Sequence, residues 1–307
     1  MEAARATIGG RLHRTPTFSS ATLSRLVGAH VYLKAELFQR TGSFKPRGVL
    51  NKLASLSSEE RSHGVIGVSA GNHAQALAYG AALERLDCLL VMWRTASDQK
   101  IAATRGYGAQ VDLEAEGPSV VFDRLATLLE QTGRTLVHPF EDPLVAAGAG
   151  TVALEVEEDV PGLDTIVVPT GGGGLLAGVA AAFPGRVVAV EPEASQALHA
   201  ALAAGRPVPV EPRSIADGLN APFAGGLAVE ACRARRLETV LVTEGEIAEA
   251  MRALYERAKL ACEPAGAAAT AALLAGKIHV ARSERVLAIV SGGNVSAETA
   301  SGILASR

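Results

Sequence analysis

Short, continuously apolar runs alternate with helix-forming stretches almost from end to end of this chain, and that alternation restricts its fold most. The runs His30–Glu36, Gly64–Ser69, Cys88–Trp93, Gln110–Glu114, Thr135–His138, Thr165–Thr170, Arg186–Glu191, Thr239–Thr243 and Arg285–Ser291 read as strands. Most are apolar at successive positions instead of every second one, which suits strands covered on both faces of a parallel sheet. Between them lie helix candidates such as Ala70–Arg85, Pro118–Gln131, Gly173–Phe183, Glu244–Leu260 and Pro264–Ala275. Strand followed by helix, repeated this often, predicts an α/β fold of open, mostly parallel sheets with crossover helices. Aromatic residues are only 4% against 48% apolar overall, so the core has to be built from Ala, Val and Leu.

The 307 residues suffice for two ordinary domains or one large α/β domain. A net charge of −3, with both signs dispersed, gives no case for nucleic acid or an anionic membrane as partner. No stretch approaches the roughly 20 apolar residues of a membrane span. The opening MEAARATIGGRLHRTP lacks the apolar core of a secretory signal. Cys88, Cys232 and Cys262 are odd in number and not spaced as ligands, so they are expected to be buried thiols of a cytoplasmic protein.

In open α/β sheets, ligands bind beyond the carboxyl ends of strands, where helices begin. Three such junctions stand out. Ser69 closes one strand, and Ala70, Gly71, Asn72 and His73 open the next helix, whose free N–H groups favour a carboxylate or phosphate. An ordinary cap with an incidental His and Asn explains that junction about as well. The second is Gly171–Gly174, four consecutive glycines that let backbone approach an anion closely. Gly172, Gly174 and Ala177 also fit the dinucleotide fingerprint, with Glu191 at the end of the next strand, so a nicotinamide-dependent dehydrogenase competes on this motif. The third is Ser291 followed by Gly292, Gly293 and Asn294; alone it reads as a tight turn, yet the dinucleotide pattern has no second glycine turn. The proline-rich segment Gly205–Gly226 is the longest irregular piece and is expected to be functional.

Lys45, in the run QRTGSFKPRGVLNKL, would by itself be one of 29 Lys and Arg residues. Together with the three junctions it gives the chain a family character. The pieces SFKPRG, SAGNHAQA, HPFEDPLVAAGAGTVALE, PTGGGGLLAG, VAVEP, SIADG, CEPAG and VSGGN are spread over nearly the whole chain, from Ser43 to Asn294. In this order they resemble the threonine dehydratase and serine racemase family, pyridoxal-phosphate enzymes of fold type II (tryptophan synthase β-like).

The resemblance implies that Lys45 carries pyridoxal 5'-phosphate as a Schiff base and later takes the Cα proton. Phe44 would pack against the pyridine ring and Asn72 would meet its hydroxyl. Gly171, Gly172, Gly173, Gly174 and Leu175 would cradle the phosphate, and Ser291 would face the ring nitrogen. Ser69, Ala70, Gly71 and His73 would form the substrate-carboxylate loop, with Asp217 and Glu263 on the substrate side. The implied reaction is a carbon–oxygen lyase step on L-threonine or L-serine, giving a 2-oxo acid and ammonia.

Racemases of this family carry a second serine where this chain has Ala70, so the resemblance favours a dehydratase over a serine racemase. The threonine synthase and cysteine synthase branches typically carry Thr in place of His73. A hydroxyaspartate-type or hydroxyectoine-derived substrate is a further alternative. Family members with a divalent-cation site use the glutamate here numbered 191 and an acidic residue six positions on, where this chain has Ala197. Glu191 is thus a doubtful metal ligand, and no metal is expected. The chain ends about one helix beyond SGGN, so feedback control through a C-terminal regulatory domain is not expected. The implied architecture is a large cofactor domain from residues 1–55 and 142–307, with a small domain, 56–141, inserted between. A homodimer is implied as well. A non-catalytic amino-acid binder on this fold would have no use for Lys45.

Overall fold

The computed structural model describes residues 1–117 and 120–306. In chain order the strands are β1 (Thr17–Ser19), β2 (His30–Ala35), β3 (Val65–Val68), β4 (Cys88–Trp93) and β5 (Gln110–Ala115). They continue as β6 (Thr135–Leu136), β7 (Thr165–Pro169), β8 (Arg186–Pro192), β9 (Glu238–Val242) and β10 (Arg285–Val290). They form a six-stranded sheet in the order β1-β2-β10-β7-β8-β9 and a four-stranded sheet in the order β5-β4-β3-β6. All pairings are parallel except β1 with β2.

The continuous apolar runs have a direct cause. In the larger sheet Val31, Leu33, Val167, Val188, Val190, Val286 and Ala288 join one buried cluster. Their alternates Ile166, Val168, Val187, Ala189, Leu287 and Ile289 join a second cluster on the other face. The smaller sheet repeats the arrangement, with Val65, Leu90 and Met92 on one side and Ile66, Val68 and Val91 on the other. With side chains alternating between two covered faces, the central strands β3, β7, β8 and β10 are buried at almost every position, so the α/β reading of the sequence holds. The helix Pro264–Leu274 is buried around its whole circumference and is accordingly almost all Ala, Leu and Gly, with proline at its first turn.

Several elements differ from the sequence reading. The strand expected over Thr135–His138 pairs only at Thr135 and Leu136, because the chain then turns to cross between the sheets. The helix expected over Glu244–Leu260 is α-helical to Ala253 and continues as a π-turn over Leu254–Ala258, with Lys259 left-handed beyond it. The helix expected from Pro118 runs Val121–Thr132; residues 118 and 119 lie outside the described residues. Lys45 begins a helix, Lys45–Leu53, that the sequence reading did not single out.

The topology gathers the glycine-rich junctions. β10 lies between β2 and β7 with all three parallel, so their carboxyl ends are neighbours. Gly171–Gly174 follow β7, Ser291 follows β10, and the chain from β2 leads to Lys45. The larger sheet thus has its crevice at the point where the chain switches direction across it.

Candidate active site

Lys45 is the first residue of its helix, and its placement is set by contacts on three sides. The Phe44 N–H donates to the Ser291 carbonyl at 3.1 Å, and Ser43 bridges to Gly292. Gly48 and Gly148 let the helices Lys45–Leu53 and Pro143–Asp159 approach closely; a Cβ on Gly148 would lie 2.2 Å from the Arg47 carbonyl oxygen. Arg47, 1% exposed, donates to both carboxylate oxygens of Glu36 at 2.8 and 2.9 Å and to Glu155 at 2.6 and 2.9 Å. Removing one partner from such a buried pair typically costs about 3–5 kcal/mol, so the helix bearing Lys45 is firmly held. The preceding turn is strained: Thr41, β-branched, has φ 60°. Its carbonyl accepts the Asn294 amide at 2.6 Å.

The Lys45 Nζ donates to the Pro139 carbonyl at 2.9 Å and stands 5.0 Å from the centre of the Phe44 ring. Burial pushes its amine down to about 8, against the opposing field of Glu263. Glu263, 2% exposed, is pushed up to about 8 by burial and by Asp217. It accepts from the Asn72 amide at 2.7 Å, and the Asn72 carbonyl accepts from Asn294 at 2.7 Å.

Opposite the amine runs the glycine loop. The helix Gly174–Ala182 has no side-chain cap, and no N–H from Gly171 to Leu176 finds an acceptor among the described residues. The glycines are required by what lies behind them. A Cβ on Gly172 would meet the Phe140 ring at 2.3 Å and one on Gly173, at φ +90°, the Ala228 methyl at 2.2 Å. The loop therefore turns its N–H groups to the cleft and its Cα positions to the protein, an arrangement suited to an anion.

Of the residues singled out in the sequence, Phe44, Lys45, Asn72, Gly171, Gly172, Gly173, Gly174, Leu175, Glu263 and Ser291 line this one cleft. Ser69, Ala70, Gly71, His73 and Asp217 flank it without lining it. The Gly71 N–H donates to the Ser69 hydroxyl at 3.1 Å, and the helix Asn72–Glu84 starts without a side-chain cap. His73 is turned into the interior, 2% exposed, with Nε2 donating to the Val137 carbonyl at 2.8 Å. Burial, and then the charge of Lys45, hold its pKa down to about 3, so the ring is neutral. Phe140, Gly218, Leu219 and Ala265 also line the cleft and were missed. Phe140, Gly218 and Ala265 sit inside the runs HPFEDP, SIADG and CEPAG, and Leu219 directly follows SIADG; the order of the runs was visible although their side of the cleft was not.

Glu191 has a local role in the fold. Its buried carboxylate accepts the N–H groups of Leu198 and His199 at 2.6 and 3.0 Å, and His199 Nδ1 lies 2.7 Å away. It caps the helix Ala197–Ala204. Donors already surround it, so it suits neither a cation nor a ribose hydroxyl. Among the described residues no group of three or more His, Cys, Asp or Glu could hold a metal ion. No helix of the described residues is long and apolar enough to cross a membrane.

The family model described as pyridoxal-phosphate dependent enzyme matches residues 9–292. The chain belongs to that family. It is 42% identical over 298 residues to an L-threonine ammonia-lyase of Thermotoga maritima, covering 95% of this chain and 74% of that protein. It is 40% identical to an L-threonine dehydratase (catabolic TdcB) of Staphylococcus aureus, covering 99% and 90% of the two chains. Its fold matches maize serine racemase with a TM-score of 0.92 at 37% identity, over 97% and 93% of the chains.

The cofactor of the family is pyridoxal phosphate, and the cleft fits it: an amine at the floor, an aromatic wall, uncapped helix N–H groups and the hydroxyl of Ser291. The nicotinamide alternative falls with this membership. A consequence for the apo-protein can be measured. Only a neutral amine attacks an aldehyde, and a folded-state pKa lowered to about 8 makes Lys45 neutral above that pH. The rate of reconstitution with pyridoxal phosphate should therefore rise about tenfold per pH unit below 8 and level off above it. Stopped-flow absorbance measures it; a rate still climbing toward pH 10 would contradict the depressed amine.

Proposed function

We propose that this chain is a dehydratase of a β-hydroxy amino acid, converting L-threonine, L-serine or both to the 2-oxo acid and ammonia. The reading is carried by the Lys45 amine at the floor of the glycine-loop cleft, in a chain 42% identical to an L-threonine ammonia-lyase. Lys45 would hold the cofactor aldehyde, Phe44 would pack on its ring and Asn72 would hydrogen-bond its hydroxyl. The N–H groups of Gly171, Gly172, Gly173, Gly174 and Leu175 would hold the phosphate, and Ser291 would meet the ring nitrogen.

When bound, the cofactor supplies an electron sink for charge developing at the substrate Cα. Lys45, once free, takes the Cα proton; its depressed pKa leaves a useful neutral fraction near physiological pH. The start of the helix Asn72–Glu84, with Ser69 and Gly71 ahead of it, offers N–H groups to the substrate carboxylate. Loss of the β-hydroxyl as water leaves an enamine, and its imine takes one water back to give the 2-oxo acid and ammonia. Net, the amino acid loses only ammonia.

A racemase would need a second proton-transfer group, and Ala70 can neither give nor take a proton. Ala70→Ser should therefore raise serine racemisation relative to elimination several-fold, read by chiral chromatography beside an oxo-acid assay. An unchanged ratio would mean that the other face of Cα is controlled elsewhere.

The two sheets support two domains, residues 1–55 with 142–307 and residues 56–141; in this reading the domains close on substrate and the chain works as a cytoplasmic homodimer. Val49 and Leu53 pack into the core of the smaller sheet, so closure would bear on the lysine helix itself. The test is to add L-threonine and L-serine to the yellow holoenzyme and assay oxo acid and ammonia. Absence of both products with either substrate rejects the reading.

A further inference from the structure

Four ionisable side chains succeed one another from the floor of the cleft to its edge: Lys45, Glu263, Asp217 and Lys100. Lys45 and Glu263 line the cleft. Each feels the next, since Glu263 acts on Lys45, and Asp217 and Lys100 act on Glu263. Asp217 opens the single 3-10 turn Asp217–Leu219, whose other two residues, Gly218 and Leu219, line the cleft. Lys100 arrives from the other sheet, on the helix Asp98–Gly106, and its ammonium is ion-paired to the Asp217 carboxylate. Lys45 is the only cation among the described residues that line the cleft.

An ammonium beside an active site ordinarily attracts a second substrate carboxylate. Here that ammonium is already neutralised. A β-carboxylate entering the site would have to displace Asp217 from Lys100 or lie beside Asp217, and like charges brought together repel. We propose that the Lys100–Asp217 pair sets the charge class of the substrate, admitting a β-hydroxy amino acid with an uncharged β-substituent and rejecting the hydroxyaspartate type. The proposal rests on the β-hydroxy amino acid reading of the site.

The experiment compares holoenzyme and its Asp217→Asn variant for kcat/KM on L-threonine and on β-hydroxyaspartate, with succinate as a non-reacting dicarboxylate probe. In Asp217→Asn the hydroxyaspartate-to-threonine ratio should rise about tenfold or more, and succinate should bind about tenfold more tightly, because Lys100 is freed. Both gains should vanish in Asp217→Asn with Lys100→Met. Gains that survive the loss of Lys100, or no gain in either readout, overturn the proposal. So does a wild-type enzyme that handles hydroxyaspartate as well as threonine, which needs no variant. Asp217→Ala takes the place of Asp217→Asn should the latter misfold. A wild-type enzyme inert toward every β-hydroxy amino acid rejects elimination instead, while succinate binding still reads the charge selection.

Discussion

Lys45→Ala should abolish elimination, lowering oxo-acid formation from L-threonine by about 10⁴-fold or more. The substitution removes a nucleophile and a general base together, and a general base alone contributes about 10²–10⁴-fold. It should not unfold the protein. The amine makes one hydrogen bond, to the Pro139 carbonyl, and burial disfavours its charged form. The thermal midpoint should stay close to that of the unaltered apo-protein, and any cofactor retained would be bound without a covalent link. Turnover retained in a folded Lys45→Ala protein would falsify the assignment of base and cofactor anchor to this residue.

Gly173→Ala should be the most damaging single change in the glycine loop. Its φ of +90° disfavours any Cβ, and that Cβ would lie 2.2 Å from the methyl of Ala228. Left-handed backbone costs about 1–2 kcal/mol and overpacking about 1–3, so a loss of about 2–5 kcal/mol is expected. Because the backbone must shift to relieve the clash, the N–H groups of the loop move too, and cofactor affinity should fall with stability. Denaturant midpoints and cofactor titration measure the two losses. Gly302→Ala is the control: it lies in an exposed helix with open space around it and should be neutral or stabilising by about 0.5–1 kcal/mol. A Gly173→Ala protein as stable and as tightly loaded as the original would show that the loop tolerates a different path.

Much of the site was legible because it is written locally. Each strand-to-helix junction carries its own signature within a few residues; helices begin at Asn72 and Gly174, whereas Ser291–Asn294 continues as irregular chain to a helix that begins only at Ala297. The Lys45 junction was found through the order of its neighbouring motifs, since no property of SFKPRG alone separates that lysine from a surface one. Glu191 was ambiguous for the same reason: VAVEP ends a strand as a ligand or ribose-binding glutamate would. Only the fold shows the helix start at Leu198 and His199 already using both carboxylate oxygens. His73 directly follows the Ser69–Gly71 segment, yet its ring turns inward to Val137, 64 residues away in sequence.

The sequence by itself determined the layers and the junctions. Apolar runs without alternation require sheets covered on both faces, and glycine where a helix begins leaves N–H groups open. Both follow from the period and the steric demands of contiguous residues. The tertiary structure alone decided which junctions meet, how far burial moves the Lys45 and Glu263 protons, and that Lys100 closes on Asp217. These depend on desolvation and on distances between residues far apart in the chain, which arise only when the two sheets pack together.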